Sequence, residues 1–412
     1  MRKSLLAGGI VIILVLLLSV QSPSAATKRS HMAPGSREQP PDRGREITPK
    51  DLLPSEPIVI DRDDDFVAQG FSGSGTELEP YIIEGLHINL NETLSSSCIR
   101  ILDTTSHFVI RDCLLQGENH WESGVDMYNG EGIELQTVAN ARISNNTFYL
   151  VSRGIAAYTS ENLTIKDNSF PGVHSEYSGV VGVGIYGMRS FSRNVDISGN
   201  TLAGGRYDDG IIVRHSFNIG ISDNVLKGGH GISIDNSNHC AVTKNVVENC
   251  SFGVAIHGHF NTITENNCTR SKSTGIFLGL DSANNTIHKN ICTENGEEIV
   301  QGWEGGISLL GTTSHNNVTW NRLIDNIRNG LDDGEDNLFQ YNYWSDYNGT
   351  DGDGDGIGDV PYEIPGAAGN TDPFPFGPHT TDETGFSPFV VVGIVALGLV
   401  VILTVVLFLR KK

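Results

Sequence analysis

Positive charge is scarce in this sequence, and so is charge in general. Lys and Arg together number 28 against 49 Asp and Glu, which gives a net charge of −21 over 412 residues. Because phosphate binding depends on clustered Lys and Arg, this balance predicts no nucleic-acid partner. Charged residues make up only 19% of the chain and hydrophobic residues 38%, which excludes a long disordered acidic chain and a coiled coil.

Glycine, by contrast, is abundant, with 48 residues. It follows no Gly-x-y period, so a collagen triple helix is excluded. Gly and Asn enter left-handed turn conformations at the lowest cost, and their abundance is typical of a folded chain with many tight turns. Few long helices are expected.

The two ends of the chain predict an exported protein held at a membrane. Residues 1–26 combine Arg2 and Lys3 with an apolar run and small residues, as a signal peptide does; an uncleaved anchor is the alternative. Residues 389–409 are uncharged and long enough to cross a hydrocarbon core of about 30 Å. Residues 410–412 are basic and would form a cytoplasmic tail. We expect a single-pass cell-surface protein with an exported N-terminal domain; a C-terminal sorting signal that is cleaved is the alternative.

Two short segments flank the exported domain, and sequons are spread through it. Residues 27–56, rich in Pro, Arg and Ser, are typical of a linker, and residues 377–388 of a stalk before the membrane. Asn-x-Ser/Thr sequons predict N-glycosylation where the host performs it. The acceptor residues would be Asn91, Asn145, Asn162, Asn249, Asn267, Asn284, Asn317 and Asn348.

Residues 57–376 carry an internal repeat. A six-residue word, apolar-x-x-Asn-x-apolar, recurs at steps of about 22 residues or somewhat more. Its Asn residues are Asn146, Asn168, Asn200, Asn224, Asn245, Asn266, Asn290, Asn321 and Asn342. Between the words lies a Gly-apolar pair followed by alternation, as in Gly231-Ile232-Ser233-Ile234. Each period therefore holds two or three short strands separated by turns.

This period predicts the fold class, an all-β, right-handed, single-stranded parallel β-helix of about ten coils. Successive coils stack about 4.8 Å apart, so equivalent residues lie directly above one another. Propeller blades need roughly 40 residues, and the leucine-rich L-x-x-L-x-L spacing is absent, which excludes a β-propeller and a leucine-rich repeat fold. The repeated Asn residues are expected to form an internal ladder whose amides satisfy the backbone of neighbouring turns.

Two cysteines occupy equivalent places in this repeat. Cys268 and Cys292 each lie two residues after a ladder Asn, where other coils carry inward-facing apolar residues. Neighbouring coils are close enough for a disulfide, and exported proteins meet an oxidising environment. We expect these two cysteines either to pack as buried thiols or to form a Cys268–Cys292 disulfide.

The opening and closing segments of the domain carry a resemblance to a known family. The domain opens with Pro57-Ile58-Val59-Ile60 and Pro80-Tyr81-Ile82-Ile83-Glu84-Gly85, and closes with Asn342-Tyr343-Trp344-Ser345-Asp346-Tyr347. With the coil repeat, these segments resemble the NosD-type right-handed parallel β-helix proteins, which are related to carbohydrate-binding and sugar-hydrolase repeat domains, over residues 57–376. The resemblance implies the fold and a superfamily of polysaccharide lyases, hydrolases, epimerases and binding proteins. It also implies a possible copper link, although the chain has no Met-rich or Cys-rich segment to carry one.

Residues 351–359 form an acidic, glycine-rich motif. Asp351, Asp353, Asp355 and Asp359 stand at positions 1, 3, 5 and 9, with Gly at position 6. This is the oxygen-ligand spacing of calcium loops, although Tyr362 stands at position 12, where an EF-hand has a bidentate Glu. The motif predicts a structural calcium site; a solvated acidic turn is the alternative.

Extra residues fall at the same corner of three coils and include aromatic side chains beside acidic ones. The aromatic residues are Trp121, Tyr177 and Trp303. Sugar rings stack on aromatic side chains while carboxylates accept their hydroxyl hydrogen bonds, so these three are candidate carbohydrate-binding residues. The alternative is that the rings only cover the coil edge.

A row of polar residues is expected on one outward face. Aligned on the Gly-apolar pair, the fourth residue after Gly is Tyr158, Met188, Arg214, Asp235 and His257 in successive coils. Arg214, Asp235 and His257 would stack about 5 Å apart, with Asp209 nearby. These are groups for acid–base chemistry on a polysaccharide; a surface salt-bridge ladder is the alternative. His257 and His259, with His239 or His215, are also candidate copper or zinc ligands.

These patterns favour a membrane-anchored extracellular β-helix that presents a surface for glycan binding or cell-surface interaction. A polysaccharide-processing enzyme of the lyase, hydrolase or epimerase type, and a NosD-like copper accessory protein, are the alternatives. The expected partners are a glycan or surface ligand and the membrane, and the expected cofactor is calcium.

Overall fold

The computed structural model describes residues 52–90, 96–122, 125–171, 181–188, 190–204, 209–279, 281–297 and 301–377. Residues 1–26 and 389–409, Asn91 and Tyr177 lie outside these ranges, and the side chains of Trp121 and Asp209 are not among those described. Within these ranges, no helix is long and apolar enough to cross a membrane.

Three long parallel sheets account for almost all the strands. Sheet A contains β1 (Leu53–Ser55), β4 (Leu86–Asn89), β7 (Leu114–Gln116), β12 (Thr147–Tyr149), β15 (Ser169–Phe170), β18 (Thr201–Ala203), β21 (Val225–Lys227), β24 (Val246–Glu248), β27 (Asn267–Thr269), β30 (Ile291–Thr293), β33 (Arg322–Ile324) and β36 (Tyr343–Trp344). Sheet B contains β2 (Ile58–Ile60), β5 (Ser97–Leu102), β10 (Glu131–Gln136), β13 (Arg153–Tyr158), β16 (Val181–Tyr186), β19 (Asp209–Arg214), β22 (Ile232–Asp235), β25 (Phe252–His257), β28 (Thr274–Leu278), β31 (Gly305–Leu309) and β34 (Gly330–Asp332). Sheet C contains β3 (Tyr81–Glu84), β6 (Phe108–Arg111), β11 (Ala139–Ser144), β14 (Glu161–Lys166), β17 (Ser192–Ser198), β20 (Ser216–Ser222), β23 (Ala241–Thr243), β26 (Thr262–Thr264), β29 (Thr286–His288), β32 (Asn317–Thr319) and β35 (Leu338–Gln340).

Two antiparallel pairs and one short helix complete the described secondary structure. The pairs are β8 (Glu118–Glu122) with β9 (Val125–Asn129), and β37 (Tyr362–Glu363) with β38 (Thr371–Asp372). The helix is α1 (Asp63–Ala68).

The chain passes from sheet B to sheet C to sheet A and then begins the next coil. Each strand pairs in parallel with the equivalent strand of the neighbouring coil, as Ile211 does with Ile232. Sheets B and C each contain eleven strands in the described ranges and sheet A twelve, slightly more coils than the ten predicted. The prediction of an all-β parallel β-helix is confirmed.

The core is a column of aliphatic side chains that face inward from every coil. Ile133, Ile155, Val183, Ile211 and Ile232 occupy one register position of sheet B, and all are fully buried. Burying each such side chain contributes about 1.5–3 kcal/mol. Stability therefore accumulates coil by coil, as in other solenoids.

The predicted Asn ladder lies in the turn between sheets C and A and is confirmed. Asn245 Oδ1 accepts hydrogen bonds from the backbone N–H and the side-chain amide of Asn224, each at 3.0 Å. The Asn245 amide donates to the carbonyl of Ile221 and to Oδ1 of Asn266, each at 2.9 Å. The residue before each ladder Asn adopts a left-handed conformation, for example Lys244 with φ 56°.

A second Asn ladder, which the sequence analysis missed, lies before the strands of sheet C. It consists of Asn261, Asn285, Asn316 and Asn337. Each accepts the backbone N–H of its counterpart one coil earlier, and all four are buried. The signal was a second Asn recurring five residues before the first, as Asn285 precedes Asn290.

The six cysteines of the chain are free and buried in the structure. Cys268 and Cys292 are in register on neighbouring strands of sheet A, as the repeat predicts. A hydrogen bond with Cys268, together with burial, raises the pKa of the Cys292 thiol well above its ordinary value. No bond joins them in this structure, and oxidation to a disulfide stays a prediction.

Seven of the predicted glycosylation sequons lie in the described ranges, and their Asn side chains are all exposed. They are Asn145, Asn162, Asn249, Asn267, Asn284, Asn317 and Asn348. Exposure is what a glycan acceptor requires, but modification itself stays a prediction.

Candidate functional site

The outward face of sheet B carries a row of polar and aromatic residues at the end of successive strands. In register order they are Tyr158, Tyr186, Arg214, Asp235 and His257. The structure thus brings Arg214, Asp235 and His257 together on adjacent strands. Tyr186 takes the place that the sequence alignment gave to Met188, because the register follows Gly182 rather than Gly184.

The charged part of this row is compact. Arg214 Nε lies 3.7 Å from Asp235 Oδ2, and the two side chains are 50% and 36% exposed. Burial lowers the pKa of His257, and the neighbouring Asp235 acts in the opposite sense. Burial therefore favours the neutral imidazole over the imidazolium.

Gly279 makes room for this imidazole on the next coil. A Cβ at Gly279 would lie 2.1 Å from His257 Nε2, closer than any side chain allows. The ring of Phe277 packs beside it, edge-on, with ring centroids 6.0 Å apart. The outward row of polar residues ends at His257 because the next coil has Gly279 at this place.

Aromatic side chains flank the charged residues on both sides. Toward the C-terminal coils, the Phe277 ring lies 6.0 Å from that of Trp303 and 5.5 Å from that of Phe252. Toward the N-terminal coils, Tyr158 and Tyr186 stack at 5.2 Å. We call the outward row from Tyr158 to His257, with Phe277 and Trp303, the sheet B strip.

The loop that holds Trp303 is fixed by its own polar contacts. The Trp303 carbonyl accepts hydrogen bonds from the hydroxyls of Thr274, at 3.0 Å, and Ser308, at 2.6 Å. The buried carboxylate of Glu304 accepts the backbone N–H groups of Gln301 and Gly302 at 2.7 and 2.9 Å. Sequence patterning identified Trp303 but could not show that Phe277 lies beside it.

The acidic loop brings three of its four predicted ligands together. Oxygens of Asp351, Asp353 and Asp355 lie within 4.8 Å of one another. Asp359 instead binds inside the loop, where its Oδ2 accepts the Gly352 backbone N–H at 2.8 Å and the hydroxyl of Thr350 at 3.1 Å. Three carboxylates at this spacing are a donor set that suits a hard cation such as calcium.

The candidate histidine ligands do not assemble. Strand β25 ends at His257, so His259 lies in the following turn, where its backbone N–H bonds to Asn238 Oδ1. His239 stacks on the ring of Phe260 at 5.2 Å. Among the described residues, the Asp351 group is the one place where three or more His, Cys, Asp or Glu ligand atoms come together.

A family comparison agrees with the fold and the repeat. The model of the periplasmic copper-binding protein NosD family matches residues 107–301 and 181–351, which together span more than half of the chain. The chain belongs to the NosD family. No curated protein matches it at a significant level.

Solved structures similar to this NosD-family chain have low sequence identity to it. A DFA-IIIase from Arthrobacter chlorophenolicus A6 in complex with GF2 is 12% identical with a TM-score of 0.49, covering 71% of this chain and 80% of that one. The surface adhesin PfbA of Streptococcus pneumoniae is 11% identical with a TM-score of 0.34, covering 63% and 80%. The A-module of the Azotobacter vinelandii mannuronan C-5 epimerase AlgE6 is 12% identical with a TM-score of 0.35, covering 68% and 87%. Similarity at this level gives no argument about activity.

The NosD family description raises the question of copper. Copper favours imidazole, thiolate and thioether ligands, whereas the one three-ligand group in the described residues is made of carboxylates. The described residues of this NosD-family chain therefore do not fit a three-ligand copper centre, and no step through copper is derived.

Proposed function

We propose that this chain binds a neutral glycan along the sheet B strip. The observation that carries the proposal is the arrangement of the strip itself: stacked Tyr158 and Tyr186 at one end, half-buried Trp303 beside the buried Phe277 at the other, and hydrogen-bonding groups between them. Aromatic faces bind the apolar faces of sugar rings, and the polar groups between them suit sugar hydroxyls.

The dimensions of the strip support an extended ligand. The strip runs across seven strands of sheet B, from β13 to β31. At a spacing of roughly 4.8 Å, they extend over about 29 Å along the helix axis. A ligand of several linked sugars could contact both aromatic ends at once.

The charges of the strip favour a neutral glycan over a polyuronate. Arg214 is already neighboured by Asp235, so it does not present an isolated positive charge to an acidic sugar. The net charge of −21 repels polyanions at long range as well. An acidic polysaccharide would have to overcome both effects.

An enzyme that processes such a glycan is the second candidate. The neutral His257 imidazole beside Asp235 supports it, because a lyase, hydrolase or epimerase needs a group that accepts a proton. The two candidates give different results when the glycan is incubated with the chain. An enzyme converts the glycan to product, and D235N or H257Q then abolishes this turnover. A binding protein returns the glycan unchanged.

Display of this surface at the cell envelope is part of the proposal. The NosD family is described as periplasmic, which supports export of the β-helix. Anchoring by residues 389–409 is proposed from their apolar sequence alone. Carbonate extraction of native membranes would separate the two cases: an anchored chain stays in the pellet, and a cleaved one is released.

Calcium binding by Asp351, Asp353 and Asp355 is a further part of the proposal. The loop is tied to the C-terminal segment by hydrogen bonds from Gly358 N–H to the Pro375 carbonyl and from Gly377 N–H to the Gly356 carbonyl. We expect saturating calcium to raise Tm by roughly 3 °C or more, measured by differential scanning calorimetry.

The matched variants define the calcium result. D353N combined with D355N should remove the calcium-dependent rise in Tm, while D325N, which changes an exposed Asp outside the loop, should keep it. An unchanged Tm for the natural chain between chelator and millimolar calcium would refute the site.

Glycan titration tests the main proposal. We expect isothermal titration with hexasaccharides of glucose, mannose, galactose and N-acetylglucosamine to give binding for at least one, and hexagalacturonate to bind at least ten-fold more weakly. W303A should weaken the bound hexasaccharide at least ten-fold, whereas W320A, at the turn between sheets C and A, should bind normally. Preferred binding of the uronate, or equal loss in both variants, would contradict the proposal.

A further inference from the structure

A second constellation overlaps the N-terminal end of the strip, and its charged pair was not predicted from the sequence as a site. Glu131 on β10 is in register with Arg153 on β13. Arg153 Nη1 donates to Glu131 Oε1 at 2.5 Å. The Tyr158 hydroxyl lies 3.3 Å from the same Arg153 nitrogen and 3.5 Å from Glu131 Oε1.

The second carboxylate oxygen of Glu131 is not used by this cluster. Oε2 is buried and has no hydrogen-bond partner among the described residues. Burial raises the pKa of Glu131, and Arg153 opposes that rise. A buried acceptor without a partner costs about 1–3 kcal/mol, so a ligand group that hydrogen-bonds to it would recover that free energy.

Other Arg–Glu pairs between coils lack this property. Arg193 and Glu161 form an equivalent pair on sheet C, with side chains that are 59% and 37% exposed. Water can satisfy the remaining oxygen of such an exposed carboxylate. Glu131 is only 14% exposed, so its free oxygen needs a specific partner.

An aromatic pair adjoins the Glu131 carboxylate, because the Tyr158 hydroxyl lies 3.5 Å from Oε1. Tyr158 stacks on Tyr186 with ring centroids 5.2 Å apart and planes inclined by 19°. The Tyr186 ring lies over Gly184, where a Cβ would come within 2.4 Å of the ring. Gly184 therefore allows the ring to lie along the sheet, and the pair gives a broad apolar surface beside a hydrogen-bond acceptor.

We propose that Glu131, Arg153, Tyr158 and Tyr186 form a sugar-binding subsite at the N-terminal end of the strip. A sugar ring packs on the tyrosine pair, and a small rotation of the Glu131 side chain opens Oε2 to a hydroxyl hydrogen bond from the sugar, while Oε1 keeps its bond to Arg153. This inference rests on the proposed glycan binding and adds where on the face one sugar lies. A hydrogen bond to an ionised carboxylate is roughly twice as strong as a neutral one, so the charge of Glu131 contributes directly.

Titration of the full chain with the tightest-binding hexasaccharide of the neutral panel tests the subsite. We expect E131Q to weaken binding about three- to ten-fold and E131A more than ten-fold. E161Q, the same change in the equivalent pair on sheet C, should bind as the natural chain does. Y158F, which keeps the ring, should bind within about three-fold, and Y158L should lose at least ten-fold.

The outcomes separate this inference from the proposed function. Natural affinity in E131Q and E131A, with loss in W303A, would overturn the subsite and leave glycan binding standing. No binding of any neutral hexasaccharide by the natural chain would overturn both. If the Glu131 variants fail to fold, the tyrosine absorbance of the natural chain decides. A tyrosine difference spectrum on titration with the hexasaccharide supports the subsite. No difference spectrum in either the natural chain or Y158F contradicts the subsite.

Discussion

Replacing Asn245 by Ala is expected to lower the free energy of unfolding by about 4 kcal/mol, since three or more buried groups lose a partner at about 1–3 kcal/mol each. The substitution removes the acceptor of the Asn224 backbone N–H and the donor to the Ile221 carbonyl. Both groups are inside the helix, where water cannot replace the lost partner. Urea unfolding followed by circular dichroism measures the change.

A matched control is available one coil further along. Asn267 directly follows the ladder Asn266 but is exposed, so N267A should change the free energy of unfolding by less than about 0.5 kcal/mol. Equal losses in N245A and N267A would mean that the ladder does not stabilise the fold in the way its geometry indicates.

Replacing Asp372 by Ala is expected to lower the free energy of unfolding by about 3–5 kcal/mol, for a related reason at the end of the ladder. Asp372 is fully buried. Its Oδ2 accepts the Asn342 backbone N–H at 2.9 Å, the Asn342 side-chain amide at 3.0 Å and Trp344 Nε1 at 3.1 Å. Its Oδ1 accepts the backbone N–H groups of Tyr341 and Phe374, each at 3.1 Å.

The variant D372N distinguishes the two oxygens. An Asn can still accept from Asn342 with its carbonyl oxygen, but its amide then faces the N–H donors of Tyr341 and Phe374. We expect D372N to lose about half as much stability as D372A. If D372A and D372N unfold at the same urea concentration as the natural chain, Asp372 does not stabilise the end of the ladder.

The sequence predicted the fold because the repeat fixes it at two points per coil. The ladder Asn and the Gly-apolar pair set the turns, and the β-helix follows from their period. The second ladder was missed because Asn285 and Asn316 each stand beside another Asn, so their recurrence is hidden in a polar background. The predicted register was wrong at one coil. There Gly182 and Gly184 both precede an apolar residue, and only packing selects Gly182.

The candidate site was predictable only where it follows the repeat. Arg214, Asp235 and His257 share one register position, so a correct alignment brings them together. Glu131 and Phe277 stand at other positions of their strands, and their importance comes from burial and from contacts with side chains of neighbouring coils. Neither burial nor those contacts can be read from spacing along the chain.

The sheet B strip is the proposed glycan-binding surface of this chain. Hydroxyl-radical footprinting of the full chain, with and without the saturating neutral hexasaccharide, tests it most directly because it reports side chains one by one. We expect Tyr158, Tyr186 and Trp303 to become protected, while Trp320 and Tyr341, which stack together at the turn between sheets C and A, stay as reactive as before. Protection of Trp320 and Tyr341 with no change in the strip would contradict the proposal.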